Sequence, residues 1–288
     1  MTVSIAKFFA VHGIPSDEKM FSNADIIFSD KYKQLTYALS LAREGELHLE
    51  FGVFKGKSIN HTAKLRPSDK FFGFDSFEGL PEAWVRSATS TYDKGYFKVD
   101  ELPKVPANVS LIKGFFDKTL DKWIEGNPGP VSFLHIDVDL YSSAKFVLDR
   151  LTDQIGPGTI IVFDELCDWQ NSGTYPNWRD DEWKALREWL DRTSLGFRVL
   201  SRDIKFSAAI EVVELSAAAL DANTIISRAE KLVAAGARSE AVELLKNAVD
   251  VKLVKSSVLR KFLEAARTGW SPIGPADIIL PKSRLMTC

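Results

Sequence analysis

Leu47-His-Leu-Glu50-Phe-Gly52-Val-Phe-Lys-Gly56-Lys-Ser58 is the stretch that decides the fold. Its first five residues are a short, mostly apolar run, read as a β-strand, with Glu50 near its end. Gly52 and Gly56 frame a tight turn, and the residues from Gly56 onward open a helix. Glycine suits such a turn because the backbone must bend sharply and let a ligand lie against it with no Cβ in the way. The spacing is Gly-x-x-x-Gly, which differs from the Gly-x-Gly-x-x-Gly that seats a pyrophosphate on a helix N-terminus.

Working outward, four further apolar runs follow at residues 71–74, 109–112, 131–136 and 159–163. They are nearly continuous in apolar character, as expected of parallel strands covered on both faces. Amphipathic stretches separate them. In 143–155 the stripe is Phe146, Val147, Leu151 and Ile155; in 181–193 it is Trp183, Leu186, Trp189 and Leu190. This alternation predicts an α/β sheet in three layers with right-handed crossovers. Two last strands, 197–200 and 208–215, are expected to form a hairpin at the sheet edge, joined through a Ser-Arg-Asp turn at 201–203.

The bulk numbers agree with one ordinary globular domain and an appendage. The chain has 288 residues, 45% hydrophobic and 26% charged, with a formal charge of −2. That charge supplies no field for nucleic acid or acidic membranes. Cys167 and Cys288 form neither a disulfide framework nor a metal-ligand spacing, which fits a reducing cytoplasm. The apolar stretch 5–11 is broken by Lys7 and reads as a short lead-in element, and no run approaches the length of a membrane span. The predicted organisation is a main domain over 1–215, with 1–45 a helical lead-in, and over 216–288 an α-helical extension that ends in an irregular, proline-containing tail from 269. Within the extension, Ala229, Leu232, Gly236, Glu240, Ala241, Leu245 and Ala248 have the spacing of one tetratricopeptide-like hairpin. A helical cap with accidental likeness is the alternative. One such hairpin cannot bury its own apolar face, so it should dock on the domain or on a partner. A homodimer is the commonest assembly for such a protein.

The strand tips carry the chemistry. Phe71-Phe-Gly-Phe-Asp75 ends the second strand in a carboxylate that can accept hydrogen bonds from both ribose hydroxyls, or act as a helix N-cap. A sulfonium cofactor has no phosphate, and Glu50 before the glycine turn suits its cationic amino-acid end. The third strand runs into Gly114-Phe115-Phe116, where either ring can lie on an adenine or pack in the core. The candidate cofactor set is Glu50, Gly52, Gly56, Ser58, Asp75, Ser76, Phe77, Gly114, Phe115 and Asp137. The fourth strand ends in His135-Ile-Asp137-Val-Asp139, the fifth in Asp164-Glu165. Adjacent parallel strands lie about 5 Å apart, so Asp137, Asp164 and Glu165 can converge. Three carboxylates together repel unless protons are shared or a cation such as Mg²⁺ is bound, and that ion would acidify an acceptor hydroxyl. Asp137 and His135 are the candidate catalytic groups, with a hydrogen-bonded core role the alternative for His135. The aromatic loops 76–97 and 168–178 read as lids or acceptor surfaces, or as plain loop anchors.

These residues also carry a resemblance. Glu50-Phe-Gly-Val-Phe-Lys-Gly56, Gly73-Phe-Asp75-Ser76-Phe77-Glu78-Gly79-Leu80-Pro81, His135-Ile-Asp137-Val-Asp139-Leu-Tyr141 and Val162-Phe-Asp164-Glu165 together resemble the macrocin O-methyltransferase family over residues 47–189. The resemblance implies a Rossmann-like class I methyltransferase sheet of seven strands, mostly parallel, with a terminal antiparallel hairpin. It implies S-adenosylmethionine contacts at Glu50, Gly52, Gly56, Asp75 and Ser76, and Mg²⁺ ligands at Asp137, Asp164 and Glu165. It further implies methylation of a hydroxyl on a sugar, glycan or glycosylated natural product. Where the family often ends its fifth strand in two aspartates, this chain has Glu165 second. Two rival readings stand beside it: a metal-dependent glycosyltransferase built on Asp137-x-Asp139, and a non-catalytic Rossmann-like scaffold.

Overall fold

The computed structural model describes residues 2–3, 26–170, 172–193, 195–214, 229, 241, 242 and 245. The chain divides into two compact units, Met1–Thr2 with Ser16–Glu214, and Val3–Pro15 with Leu215–Cys288. In the second unit Ala229, Ala241, Val242 and Leu245 are helical. The remainder of the expected tetratricopeptide-like hairpin, the tail after it and the 5–11 stretch lie outside the described residues.

The first unit is an α/β sheet with helices on its faces. Its elements run β1 (Thr2–Val3, shared with the other unit), β2 (Ile27–Phe28), α1 (Lys31–Leu41), β3 (Leu47–Phe51), α2 (Lys57–Leu65) and β4 (Phe71–Asp75). A small hairpin follows, β5 (Trp84–Ser87) and β6 (Ser90–Tyr92), then β7 (Val109–Lys113), α3 (Phe116–Gly126) and β8 (Val131–Ile136). The run closes with α4 (Tyr141–Arg150), β9 (Ile160–Phe163), α5 (Glu182–Arg192), β10 (Leu195–Asp203) and β11 (Ala208–Glu214). The strands lie in the order β10-β11-β9-β8-β3-β4-β7, with β11 alone antiparallel and β2 paired to β10. This is the class I methyltransferase sheet, with its terminal hairpin inserted beside β9.

Burial explains why these runs are strands. Every residue of β8 and β9 is buried, because helices cover both faces, so no polar alternation is needed. Phe51 stacks on Phe74 at 4.5 Å between ring centroids, and Phe116 meets Phe51 edge-on at 5.2 Å, which fastens α3 to β3 and β4.

Three details depart from the sequence reading. The helix expected over 143–155 starts at Tyr141 and ends at Arg150; Leu151 and Ile155 are buried as expected, but the chain there is turning towards Gly156-Pro157, which cannot continue a helix. The expected turn at 201–203 is strand instead. The reversal comes after Asp203, whose Oδ1 accepts N–H bonds from Lys205, Phe206 and Ser207 at 2.8–2.9 Å. The 76–97 stretch, expected as a loop, contains the β5–β6 hairpin.

Chain order reverses between β3 and β8, and at such a switch point two successive loops part and leave a crevice. Here they stay in register through the Asp137 N–H, which donates to the Phe51 carbonyl at 2.9 Å. Gly52 has φ +87, and a Cβ placed on it would collide with the backbone carbonyl of Asp137. Its glycine is therefore required by the chain's own close approach, in addition to the turn. Gly52→Ala should lower stability by on the order of 2 kcal/mol or more, read as a fall in the urea midpoint. A midpoint shift within experimental scatter would show that the two loops are not packed this closely.

Candidate active site

The crevice opens into a cleft of about 770 Å³, within the usual range for ligand pockets. One wall is the glycine turn (Gly52, Val53, Phe54, Lys55) with Asp75, Ser76, Phe115 and Phe116. The opposite floor is acidic, with Asp137, Asp139, Asp164 and Glu165, and Lys31 and Tyr32 of α1 beside it. The β5–β6 hairpin forms a third side through Trp84, Arg86 and Tyr92. Phe54, Phe97 and Asp139, all lining this cleft, have positive φ without being glycine. Such backbone persists only where surrounding contacts enforce it, and it concentrates at functional sites.

On the first wall, Asp75 is committed to the loop around it. Its Oδ2 accepts the N–H groups of Val53 and Phe54 at 2.9 and 2.7 Å, and its Oδ1 accepts that of Phe77 at 2.6 Å. The carboxylate thus shapes the glycine turn, while Oδ1, accepting a single N–H, keeps a lone pair for a further donor. Of the ten candidate cofactor residues, Gly52, Ser58, Asp75, Ser76, Phe115 and Asp137 line the cleft; Glu50, Gly56, Phe77 and Gly114 do not.

Glu50 is turned inward and only 3% exposed. Its Oε1 accepts from the Ser58 hydroxyl at 2.8 Å, and its Oε2 accepts from His135 Nδ1 at 2.9 Å. His135 is fully buried, with Nε2 3.7 Å from Asp164 Oδ1, an ion-pair distance rather than a hydrogen bond. Burial opposes its charge, yet the flanking Asp164 and Glu50 carboxylates outweigh burial and hold the imidazole at a pKa of about 10. The flanking carboxylates therefore favour the imidazolium at neutral pH, and His135 does not line the cleft. The geometry therefore favours the core role for His135 over that of a base, and gives Glu50 a bracing role between β3 and β8.

The acidic floor holds its charge unevenly. Lys31 Nζ lies 3.0 and 2.9 Å from the two oxygens of Asp164 and 3.3 Å from Asp137 Oδ2. Burial disfavours the ammonium, but Asp164 and Asp137 together raise its pKa. The Asp164 carboxyl is likewise driven down to about 2, burial being overcome by Lys31 and His135. Asp137 moves the other way, up to about 6, through burial and the charge of Asp164. Asp139 and Glu165 are pushed well above the carboxylate range by burial and by neighbouring carboxylates. Two sets of three groups bring ligand atoms within 4.8 Å of one another: His135, Asp137 and Asp164, and Asp137, Asp139 and Glu165. The expected metal trio is thus divided, with Asp164 and Glu165 in different sets joined through Asp137.

Two groups here escaped the sequence reading. Lys31 lies 106 and 133 residues from its partners, and nothing local marks it. Glu182, fully buried, accepts the N–H of Val138 at 3.3 Å and of Glu165 at 3.2 Å, tying together the two loops that bear the cluster. Its only local signal is its place in the first turn of α5, where an acid favours the helix dipole. The two aromatic loops meet each other. Trp84 packs edge-on to Tyr175 at 5.5 Å, and both donate to Asp181 Oδ2, at 3.0 and 2.9 Å. Arg86 lies over the rings of Trp84, Tyr175 and Phe206 at 4.7–5.3 Å.

Residues 49–166 match the family model for a methyltransferase domain, from within β3 to just past Glu165. No curated protein matches the chain. Among solved structures it is similar to the calicheamicin methyltransferase CalS11, at 25% identity and TM-score 0.49 over 63% of this chain and 77% of that one. It is also similar to the O-methyltransferase TomG from Streptomyces achromogenes (16%, 0.41, 64% and 79%) and to an O-methyltransferase from Bacillus cereus (16%, 0.40, 73% and 97%). Sheet order and the glycine turn at the switch point give a class I methyltransferase fold, and residues 49–166 of it match a methyltransferase domain. The glycosyltransferase reading of Asp137-x-Asp139 is left without support. No helix among the described residues is long and apolar enough to cross a membrane.

The Glu50–His135 pair gives a stability prediction. Because the folded pKa of about 10 lies above the ordinary 6.5, the pair's contribution is complete below pH ~6.5 and is lost as pH rises towards 10. Glu50→Gln should cost about 3 kcal/mol at pH 7, in urea unfolding, and less at pH 10. An equal cost at both pH values would mean that His135 does not change its charge between them.

Proposed function

We propose that the protein transfers a methyl group from S-adenosylmethionine to a hydroxyl of a sugar, glycan or glycosylated natural product, with Asp137 taking the hydroxyl proton. The observation that carries this is the placing of Asp137. Its carboxylate lines the cleft beside the glycine turn, and its pKa of about 6 leaves it ionised yet basic at neutral pH. A general base works best when its pKa lies near the working pH.

The cleft fits the cofactor. It is bounded by the Gly52–Lys55 turn, the free lone pair of Asp75, Ser76 and the ring of Phe115, and these would hold the amino-acid end, the ribose and the adenine. When bound, the cofactor supplies an electrophilic methyl group on sulfur. The chain's own residues do the rest. Asp137 orients and deprotonates the acceptor oxygen, the partly exposed Tyr92 ring, backed by the buried Trp84 on which it stacks, offers apolar surface for a sugar ring, and the hairpin latched to Asp181 limits water.

The acidic floor also fits a divalent ion. Asp137, Asp139 and Glu165 form an all-oxygen set, and the buried Oε2 of Glu165 has no hydrogen-bond partner. Asp139, Glu165 and Glu182 are held above the usual carboxylate range by burial and by neighbouring carboxylates, and a divalent ion among them would let them ionise. Such a set suits Mg²⁺ or Mn²⁺, which would polarise the acceptor hydroxyl next to Asp137.

Calorimetry should show S-adenosylhomocysteine binding with a Kd on the order of micromolar. Asp137→Asn should keep that affinity within about threefold while slowing methyl transfer to glycoside acceptors at least about a hundredfold. Absence of heat with either S-adenosylhomocysteine or S-adenosylmethionine would contradict the reading and favour a non-catalytic scaffold.

A further inference from the structure

Lys31 enters the site from α1, outside the matched methyltransferase segment, and its ammonium is spent there. Its three hydrogens face three carboxylate oxygens: both of Asp164, at 3.0 and 2.9 Å, and Oδ2 of Asp137, at 3.3 Å. The residue is fixed from behind. Asp30 caps α1 by accepting the Lys33 N–H at 3.0 Å, and α1 packs against α2, β9 and β10. The ammonium is therefore held on an anchored helix rather than on a free surface side chain.

We infer that Lys31 is a tethered cation that withholds Asp164 from a divalent ion in the cleft, an inference that rests on the metal-assisted reading above. A divalent ion takes carboxylate oxygens at about 2.0–2.6 Å, on the same lone pairs that an ammonium uses. Each oxygen of Asp164 already accepts one hydrogen bond from Lys31, and a second cation on the remaining lone pairs would stand beside the ammonium and be repelled by it. What remains for the ion is the other side of Asp137, where Asp139 and Glu165 stand. Lys31 thus divides the expected trio, reserving Asp164 for the fold and leaving Asp137 shared between ammonium and ion. The division sets the ion's affinity below what all four carboxylates together would give, so the ion can exchange readily.

The test is a Mn²⁺ titration of the full chain without cofactor, followed by the paramagnetic resonance signal of free Mn²⁺. Lys31→Met should bind Mn²⁺ at least about tenfold more tightly than the unaltered protein, because Asp164 becomes a ligand. Lys31→Gln should do the same, and serves if the methionine variant does not fold by thermal melting. Lys31→Arg, which keeps the charge and the fork to Asp164, should stay within about threefold of the unaltered protein. Unchanged or weaker binding by the neutral variants, or an arginine variant as tight as they are, would overturn the inference. Absence of Mn²⁺ binding by every form would overturn it together with the metal half of the proposed function, whereas heat with S-adenosylhomocysteine would still uphold the cofactor half.

Discussion

Charge balance at the carboxyl ends of β8 and β9 is the constraint that orders this site. Asp137, Asp139, Asp164, Glu165 and Glu182 converge at and beneath the cleft floor, with Asp139 and Glu182 buried and the others only partly exposed, where an ionised group is costly unless it is paired. The protein meets that cost in three ways. Lys31 and His135 bring positive charge to Asp164; the Val138 and Glu165 N–H groups bond to Glu182; and the remaining carboxyls are driven up towards the protonated form. Asp137 lies between these solutions. It is only partly paired, and it faces the cleft. A carboxylate left half-satisfied at a cleft floor is poised to accept a proton or a ligand, which is why the functional reading centres on it.

The same balance ties the cofactor wall to the acidic floor. Ser58, in the first turn of α2, bonds to Glu50; Glu50 bonds to His135; and His135 faces Asp164, which holds Lys31. The glycine turn, two central strands and α1 are thereby joined through side chains at the switch point where the sheet leaves its crevice. Displacing one member, for instance by neutralising Glu50, alters the charge state of the next. Backbone contact supplies the second tie, since Gly52 approaches Asp137 too closely for any larger residue.

Most of the fold was legible because its signals are local. Near-continuous apolar runs mark strands covered on both faces, and the Gly52–Gly56 turn marks where β3 hands over to a helix. The seven expected strands and their terminal hairpin are observed, in a nine-stranded sheet that also takes in the two-residue strands β1 and β2. Boundaries were less legible where side chains set them, as with Asp203, which carries strand β10 past the polar Ser-Arg-Asp stretch and closes the turn beyond it. The site was legible in its acids, since strand-tip carboxylates stand out in any parallel sheet. It was not legible in its counter-charges. Lys31 and Glu182 sit on helices far along the chain, and no spacing rule connects them with Asp164 or Glu165. The pairing of Glu50 with His135 was not legible for the same reason. A carboxylate and an imidazole on neighbouring strands read singly as a ligand contact and a base, but in register (Glu50 opposite His135) they satisfy each other.

The most direct measurement is a crystal structure with S-adenosylhomocysteine bound. The ribose hydroxyls should lie on Asp75, the amino-acid end along the Gly52–Lys55 turn, and the sulfur should face Asp137 across an open space for the acceptor. Ligand bound outside this cleft, or bound with Asp137 turned away behind Lys31 and out of reach of the sulfur, would contradict the assignment of the cleft as the site of methyl transfer.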